Sequence, residues 1–468
     1  MVQVNGQDAR TTMTSGDTKP ANDNDAAQSA TVHSLFPLPF TPFEYYFLIE
    51  QVPEYPQVFY IDIECRGPLD RKALSNAYQL AIGRHPFLSS RIEFDSSGWP
   101  MWLPATPPPL CWDDEQPDWD STSKARLRAR VVVHGNQTRL SFAFDHVATD
   151  GMGGFQFISD LMVAYTHLCS DDAGPPKWRP LDADLLRQRG RHTLFGRNIR
   201  LIDLVRLPRV SVPLMFRRVA VVSDRRKHES AIGSRPTPPA NYLVHTLSEQ
   251  ETTALSLAAR KLSVRLSEVL LRDYFLMLTA WNRNTSEGRL PMRVLVPTNM
   301  RRRPDLRMPA ANMFGFAFMT RGAKHCQNRQ ELLQSIRSEM ADIKRERRSL
   351  YHELSLRLLC IWPRLLRWNM GRKWTFATAV FTNLNAGFDH VPLPWRGDRR
   401  AAGDLIIENG YGAGPLRLDT RLSLAIHNYA GRMSVAVRSD EHVFSPEQQR
   451  ELLEAYLAQL RTTIELKS

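Results

Sequence analysis

Leu140-Ser141-Phe142-Ala143-Phe144-Asp145-His146-Val147-Ala148-Thr149-Asp150-Gly151-Met152-Gly153-Gly154-Phe155 contains the change of hydrophobic period from which the rest of the chain can be read. Thr138 to Phe144 is strand-like, whereas Phe155, Ile158, Leu161, Met162 and Tyr165 fall on one face of a helix. His146 therefore stands where a strand hands over to a helix, at a turn, with an imidazole that titrates near neutral pH. A histidine so placed can take the proton of a hydroxyl or amine as that group attacks a carbonyl. Gly151 lets the backbone turn tightly and a ligand come close. With 13 histidines in the chain, chance supplies His-x-x-x-Asp-Gly about 0.04 times. On spacing alone, a capping Asp beside an incidental His is an equal reading.

Working outward, Arg126–Val133 and Thr138–Phe144 are strand-like runs around His134-Gly135-Asn136-Gln137, which predicts a hairpin. Further upstream, Val58 to Ile63 reads as a strand. Leu69, Ala73, Ala77, Leu80 and Ala81 recur at helical spacing until His85-Pro86 closes the helix. Residues 1–33, rich in Thr, Ser, Asn, Asp and Ala, read as a disordered tail. Order is expected to begin near Phe36-Pro37-Leu38-Pro39-Phe40. Downstream, residues 171 to about 240 are dominated by Pro and Arg and read as a connection between two halves. The second half opens with the strand Tyr242–His245 and a capping box at Ser248-Glu249-Gln250-Glu251. An apolar helix from Leu266, strands at Val294–Pro297, Phe314–Phe318 and Met433–Val437, and a helix from Pro446 complete it.

At 468 residues the chain is long enough for two or three domains. The most apolar stretch, Val269 to Trp281, is interrupted by Arg272 and Asp273, so no spanning helix is predicted. Five scattered cysteines with no CxxC pair argue against a zinc ribbon, and no metal site is expected. With no secretory signal at the N-terminus, a reducing cytoplasmic compartment is the simpler reading. The net charge of +12 is concentrated: a dozen Lys and Arg stand between Arg187 and Lys227 against Asp203 and Asp224. Arginines snorkelling over a partly buried helix explain this segment, as do a peripheral membrane or lipid contact and the binding of CoA phosphates or an acidic carrier protein. A second basic stretch, Lys344–Lys373, includes Trp362 and Trp368. No nucleic-acid motif accompanies either.

The run from Leu140 through Phe155 resembles the active-site segment of the CoA-dependent acyltransferase superfamily. That superfamily includes chloramphenicol acetyltransferase, alcohol acyltransferases, wax ester synthases and condensation domains. The resemblance extends, in family order, over most of residues 35–468. Gly67-Pro68-Leu69-Asp70 through Arg84-His85-Pro86-Phe87-Leu88-Ser89-Ser90-Arg91 is similar to the first helix of such domains, and Ser248–Trp281 to the helix pair of their second half. Val296-Pro297-Thr298-Asn299-Met300-Arg301 and Asn312-Met313-Phe314-Gly315 resemble their Arg-bearing strand and Asn-x-x-Gly turn. The resemblance implies an α/β fold of two chloramphenicol-acetyltransferase-like lobes with the active-site tunnel between them. Residues 34–185 would form the N-terminal lobe, 186–240 a basic crossover linker and 241–468 the C-terminal lobe.

It also implies roles. His146 aligns with the catalytic general base and Asp150 with a residue that makes a structural ion pair, here with Arg301 or its neighbours Arg302 and Arg303. Gly151 aligns with the glycine that leaves room for a pantetheine arm. Asp145 departs from the second histidine that many wax ester synthases and condensation domains carry. Phe381-Thr382-Asn383-Leu384-Asn385-Ala386-Gly387-Phe388 resembles a Ser/Thr-Asn loop, which makes Thr382 and Asn383, with Asn312 and Gly315, candidates for the oxyanion site or tunnel; a simple turn is the competing reading. His85 is expected to be structural. The implied activity is acyl transfer from acyl-CoA, bound as co-substrate with no resident cofactor, to an alcohol or lipid-like acceptor. Carrier-protein-bound condensation and a non-catalytic scaffold of the same fold are the alternatives.

Overall fold

The structure is a computed structural model in which residues 35–113, 125–170, 176–190, 201–224, 242–346, 348–360, 375–384 and 391–465 are described. The expected tail at 1–33, much of the Lys344–Lys373 stretch and Asn385–Phe388 lie outside them. The first half runs through β1 (Leu38–Pro39), α1 (Pro42–Glu50), β2 (Val58–Arg66), α2 (Arg71–Gly83), β3 (Ser90–Phe94), β4 (Pro100–Pro104), β5 (Leu110–Trp112), β6 (Leu127–His134), β7 (Gln137–Asp145) and α3 (Gly151–Leu168). Then come α4 (Leu201–Phe216), β8 (Leu243–Thr246), α5 (Glu249–Lys261), α6 (Leu266–Asn282), β9 (Met292–Asn299), β10 (Phe314–Arg321), α7 (Arg329–Glu346) and α8 (Ser349–Cys360). The chain continues through β11 (Ala379–Leu384), β12 (Trp395–Arg396), β13 (Arg399–Ala402), β14 (Leu405–Ala413), β15 (Leu422–Tyr429), β16 (Arg432–Ser439) and α9 (Pro446–Glu465).

Local chemistry sets many of the boundaries. The Asp70 carboxylate caps α2, and Ser248 with Glu251 caps α5 as the sequence predicts. The hairpin of β6 and β7 turns at Gly135-Asn136, Gly135 taking the positive φ (58°) that a two-residue turn requires. β9 and β10 pair antiparallel over their full length, Phe314 opposite Asn299.

Two large sheets organise the molecule. One has the order β12-β13-β14-β2-β7-β6-β5 and the other β10-β9-β11-β15-β16-β8, with a small sheet β1-β4-β3 beside them. The first sheet corrects the lobe boundary: residues 395–413, which the sequence reading places in the C-terminal lobe, form β12–β14 and pair through β14 with β2. Backbone pairing with a distant strand leaves no local mark in the sequence.

The described parts of the crossover segment are anchored in both lobes. Arg189 is buried and grips Glu44 in a two-point ion pair of 2.6 and 2.8 Å, while Ala220 and Val222 enter the core of the second sheet. Each large sheet has its own apolar core. A third cluster bridges them, bringing Phe43, Phe47 and Val147 against Leu295, Met308, Phe314 and Phe316. Each such fully buried aromatic contributes about 1.5–3 kcal/mol, so this seam holds the lobes together along the line where His146 emerges.

Candidate active site

β7 ends at Asp145, whose carbonyl accepts from the N–H groups of Ala148 and Thr149 and so turns the chain out of the sheet. The same carboxylate is buried, paired with Arg126 and bonded by Gln51 Nε2 (2.7 Å) and the Val147 N–H (2.9 Å). His146 follows, its N–H donating to the Gln57 carbonyl at 2.8 Å. Asp150 caps α3: its Oδ1 accepts from the Gly153 N–H at 2.9 Å, satisfying one of the free donors of the first turn. A side chain at Gly153 would lie 2.1 Å from Thr149 Oγ1 and 3.2 Å from the backbone of Ala310 and Ala311, so glycine lets the start of α3 meet the 310–311 loop.

That loop supplies the partner of Asp150. Arg301 donates to Oδ2 at 2.7 Å and to Oδ1 at 2.9 Å, and also to the Ala311 carbonyl at 2.8 Å. The Met313 N–H adds a fourth bond to the carboxylate at 2.8 Å. With its oxygens engaged in this way, Asp150 has no bond to the His146 ring. Asn312 completes the brace, its amide nitrogen donating to the carbonyls of His146 (2.7 Å) and Val147 (2.9 Å).

The imidazole of His146 lies between two phenyl rings. Phe47 stacks on it at 4.5 Å and 10°, Phe314 at 5.1 Å and 27°, and Phe59 meets it edge-on at 5.0 Å. Burial pushes its pKa below the ordinary histidine value, against the opposing pull of Asp150 and Asp145. The ring is therefore neutral at pH 7. Nδ1 is shut off from solvent, which leaves Nε2 as the nitrogen open to the adjoining cavity.

This cavity, about 330 Å³, lies between the lobes and is lined from α1, β2, β9, β10, β11, β14 and β15. Thr382 and Asn383 line it, as do Asp150, Gly151 and Arg301. A side chain at Gly151 would come within 3.3 Å of Leu384, across the space between α3 and β11. The remaining two oxyanion candidates lie differently. Asn312 spends its amide hydrogens on the two backbone carbonyls, and Gly315 packs against Ser349, to whose carbonyl a side chain at 315 would approach within 2.9 Å. His85 is fully buried; its Nδ1 accepts from the Ala310 N–H at 2.9 Å and so docks the loop that carries Arg301 and Asn312.

Several site residues gave no signal in the sequence. Phe47 and Phe59 come from α1 and β2 and lie in no motif, and Phe314 of β10, though inside the Asn312–Gly315 segment, carries no sign there that its ring faces His146. His427 also lines the cavity; burial lowers its pKa to about 4, and its Nε2 lies 3.2 Å from the Gly412 carbonyl. At a third point of the lining, Arg417 pairs with Glu50 at 3.0 Å beside Tyr46. Among the described residues no cluster of His, Cys, Asp and Glu is suited to hold a metal ion, and no helix is long and apolar enough to cross a membrane.

Similarity to known proteins follows the fold more closely than the sequence. No family model matches the chain. A phthiocerol/phthiodiolone dimycocerosyl transferase of Mycobacterium leprae (strain TN) is 26% identical over 261 residues, which is 51% of this chain and 57% of that protein. The match thus spans little more than half the length of this relative. Polyketide synthase associated protein 5 from Mycobacterium tuberculosis superposes with a TM-score of 0.62 at 20% identity, covering 92% of this chain and 98% of that one. The first condensation domain of the CDA synthetase gives 0.68 at 15% identity (92% and 96%), and the condensation domain of the Monacolin K polyketide synthase 0.64 at 13% (92% and 98%). The two-lobed α/β fold is that of the condensation domains, and the likeness to the acyltransferase and condensation-domain superfamily read from the motif segments holds at the level of the fold.

Proposed function

We propose that this protein moves an acyl group from a thioester donor, acyl-CoA or an acylated carrier protein, to an alcohol. The observation that carries this reading is His146, a neutral imidazole with Nε2 open to a cavity between two lobes and with its backbone braced by Asn312 and Gln57. His146 Nε2 takes the proton of the acceptor hydroxyl as its oxygen bonds to the thioester carbon. The tetrahedral oxyanion takes hydrogen bonds from Thr382 and Asn383. The C–S bond then breaks, and the thiolate recovers the proton from the imidazolium. Asp150 does not relay protons; with Arg301 it positions the turn that carries His146.

The 26% identical relative, named for transferring a mycocerosyl group, supports transfer of an acyl chain. Likeness to condensation domains and to a polyketide synthase associated protein favours a second form of the same chemistry, with donor or acceptor held on a carrier protein. Thiol release from a panel of short to long acyl-CoAs, with alcohols and amines as acceptors, tests the proposal. Acceptor-dependent release is expected, and His146→Ala lowers it by about 10²–10⁴-fold without loss of fold. Release that His146→Ala leaves intact removes the general-base role. No release from any acyl-CoA or acyl-carrier donor, in folded protein, moves the reading to a non-catalytic scaffold.

A further inference from the structure

We infer that a cleft of about 450 Å³ between α4, β10 and the end of α7 binds the phosphate end of a phosphopantetheine-bearing thioester donor, an inference that rests on the acyl-transfer reading above. Five arginines line this cleft, Arg206, Arg209, Arg217, Arg293 and Arg348, against one carboxylate, Glu346. Arg348 is compensated by Glu339, Asp342 and Glu346, and Arg206 shares Glu346 at 3.9 Å. Among the described residues the other three are not compensated. Arg293 is fully buried, and its guanidinium donates to the carbonyls of Pro213, Leu214 and Phe376 and to the Thr320 hydroxyl, with no acid among them. Arg209 and Arg217 are exposed and, among the described residues, make no ion pair. The charge shows in Arg293 itself: burial, and then the nearby Arg217, lower its pKa to about 10. A recess with this excess of guanidinium groups calls for an anion, and their planar, forked N–H donors match phosphate oxygens.

Its distance from His146 says which phosphate. Phe314, Phe316 and Phe318 alternate along one face of β10. The ring steps from His146 to Phe314, then Phe316, then Phe318 are 5.1, 5.4 and 6.2 Å. Phe316 lines both the active-site cavity and the arginine cleft, and Phe318 lines the cleft. Strand rise places Phe318 about 13 Å from Phe314. An extended phosphopantetheine arm spans roughly 15–20 Å from phosphorus to sulfur by ordinary bond lengths. A thioester at His146 thus sets its phosphate at Arg209 and Arg217, while Arg293, buried with its N–H groups spent on carbonyls and a hydroxyl, adds positive charge beneath them. An anionic bilayer would instead engage Val205, Val212 and Phe216, which are exposed on the same side of α4 as Arg209, and would draw no distinction between phosphopantetheine and pantetheine.

The same phosphate chemistry arises from free CoA and from the arm of a carrier protein. The test compares one acyl group on CoA, on phosphopantetheine and on pantetheine, which differs only in lacking phosphate. Wild-type protein is expected to favour the phosphorylated arm over pantetheine by at least about tenfold in kcat/KM. The double variant Arg209→Glu/Arg217→Glu, whose side chains are exposed so that folding is spared, brings this ratio to near one. Arg260→Glu/Lys261→Glu, an equal charge change at exposed positions of α5, leaves it where it was. A ratio near one in wild type, or a ratio unchanged in the double variant, overturns the inference. Calorimetric binding of CoA, phosphopantetheine and pantetheine separates this result from failure of the chemistry. Phosphate-dependent binding lost in the double variant supports the cleft even where no acyl transfer is seen, and absence of such binding in wild type overturns it. Tighter binding of CoA than of phosphopantetheine assigns the site to free CoA; equal binding assigns it to the arm's own phosphate, as a carrier presents it. If the double variant loses only binding to phosphatidylglycerol vesicles, the site is a membrane contact and the inference fails.

Discussion

Two buried Asp–Arg pairs bracket His146, and they differ in what they join. Asp145 and Arg126 belong to one hairpin of the first sheet, and the carboxylate has further bonds from Gln51 and Val147. Asp150 and Arg301 join the first lobe to the second, and Arg301 also holds the Ala311 carbonyl. The pair within the hairpin determines where β7 stops and the turn bearing His146 begins. The pair between lobes places the loop bearing Asn312 and Met313 against that turn. One histidine is thus fixed by its own strand and, separately, by the apposed lobe.

The comparison predicts unequal consequences. Arg301→Ala leaves a buried carboxylate at the seam without its cation and should cost about 3–5 kcal/mol in urea unfolding, together with most of the transfer activity. Arg126→Ala removes a cation of similar burial, and Asp145, like Asp150, keeps two other donors; because Arg126 lies in the hairpin of Asp145 itself and holds no part of the apposed lobe, a loss of about 2 kcal/mol is expected, with activity retained within tenfold. Equal loss of activity in both variants would erase the distinction between them. The smallest effect is electrostatic. Because burial holds His146 neutral, kcat/KM should be flat above the ordinary histidine pKa of about 6.5 and fall only as pH drops below it, when the imidazole gains its proton. Both aspartates oppose that burial, Asp150 more than Asp145, so their removal lowers the pKa further. The acid limb should move to lower pH in Asp150→Asn and by less in Asp145→Asn, as read by NMR titration of His146. The reverse order would mean that the hairpin pair dominates the local field.

These differences also mark what the sequence disclosed. His146, Asp150, Gly151 and Arg301 could be read because they lie in short segments whose spacing and family likeness travel together. The Arg126–Asp145 pair was within reach of the same reading. With the turn at Gly135-Asn136, counting outward in register brings Leu127 opposite Phe144 and Arg126 level with Asp145. What replaces the family's second histidine is therefore a carboxylate already committed to an arginine. The phenyl rings around His146 were not legible, since Phe47, Phe59 and Phe314 meet only after the lobes close. Nor was the division of Asn312 from Thr382 and Asn383, because which amide is already bonded depends on backbone carbonyls that a one-letter string does not show.

The pairing of β14 with β2 has a consequence in time. Tyr411 bonds Glu64 across 347 residues of chain, so the first sheet lacks three of its strands until nearly the whole sequence has left the ribosome. At about 5–20 residues per second, β2 waits roughly 20–70 s with one edge unpaired. Through that interval its exposed backbone is a template for other chains, and a fragment ending before residue 395 keeps that edge open for good.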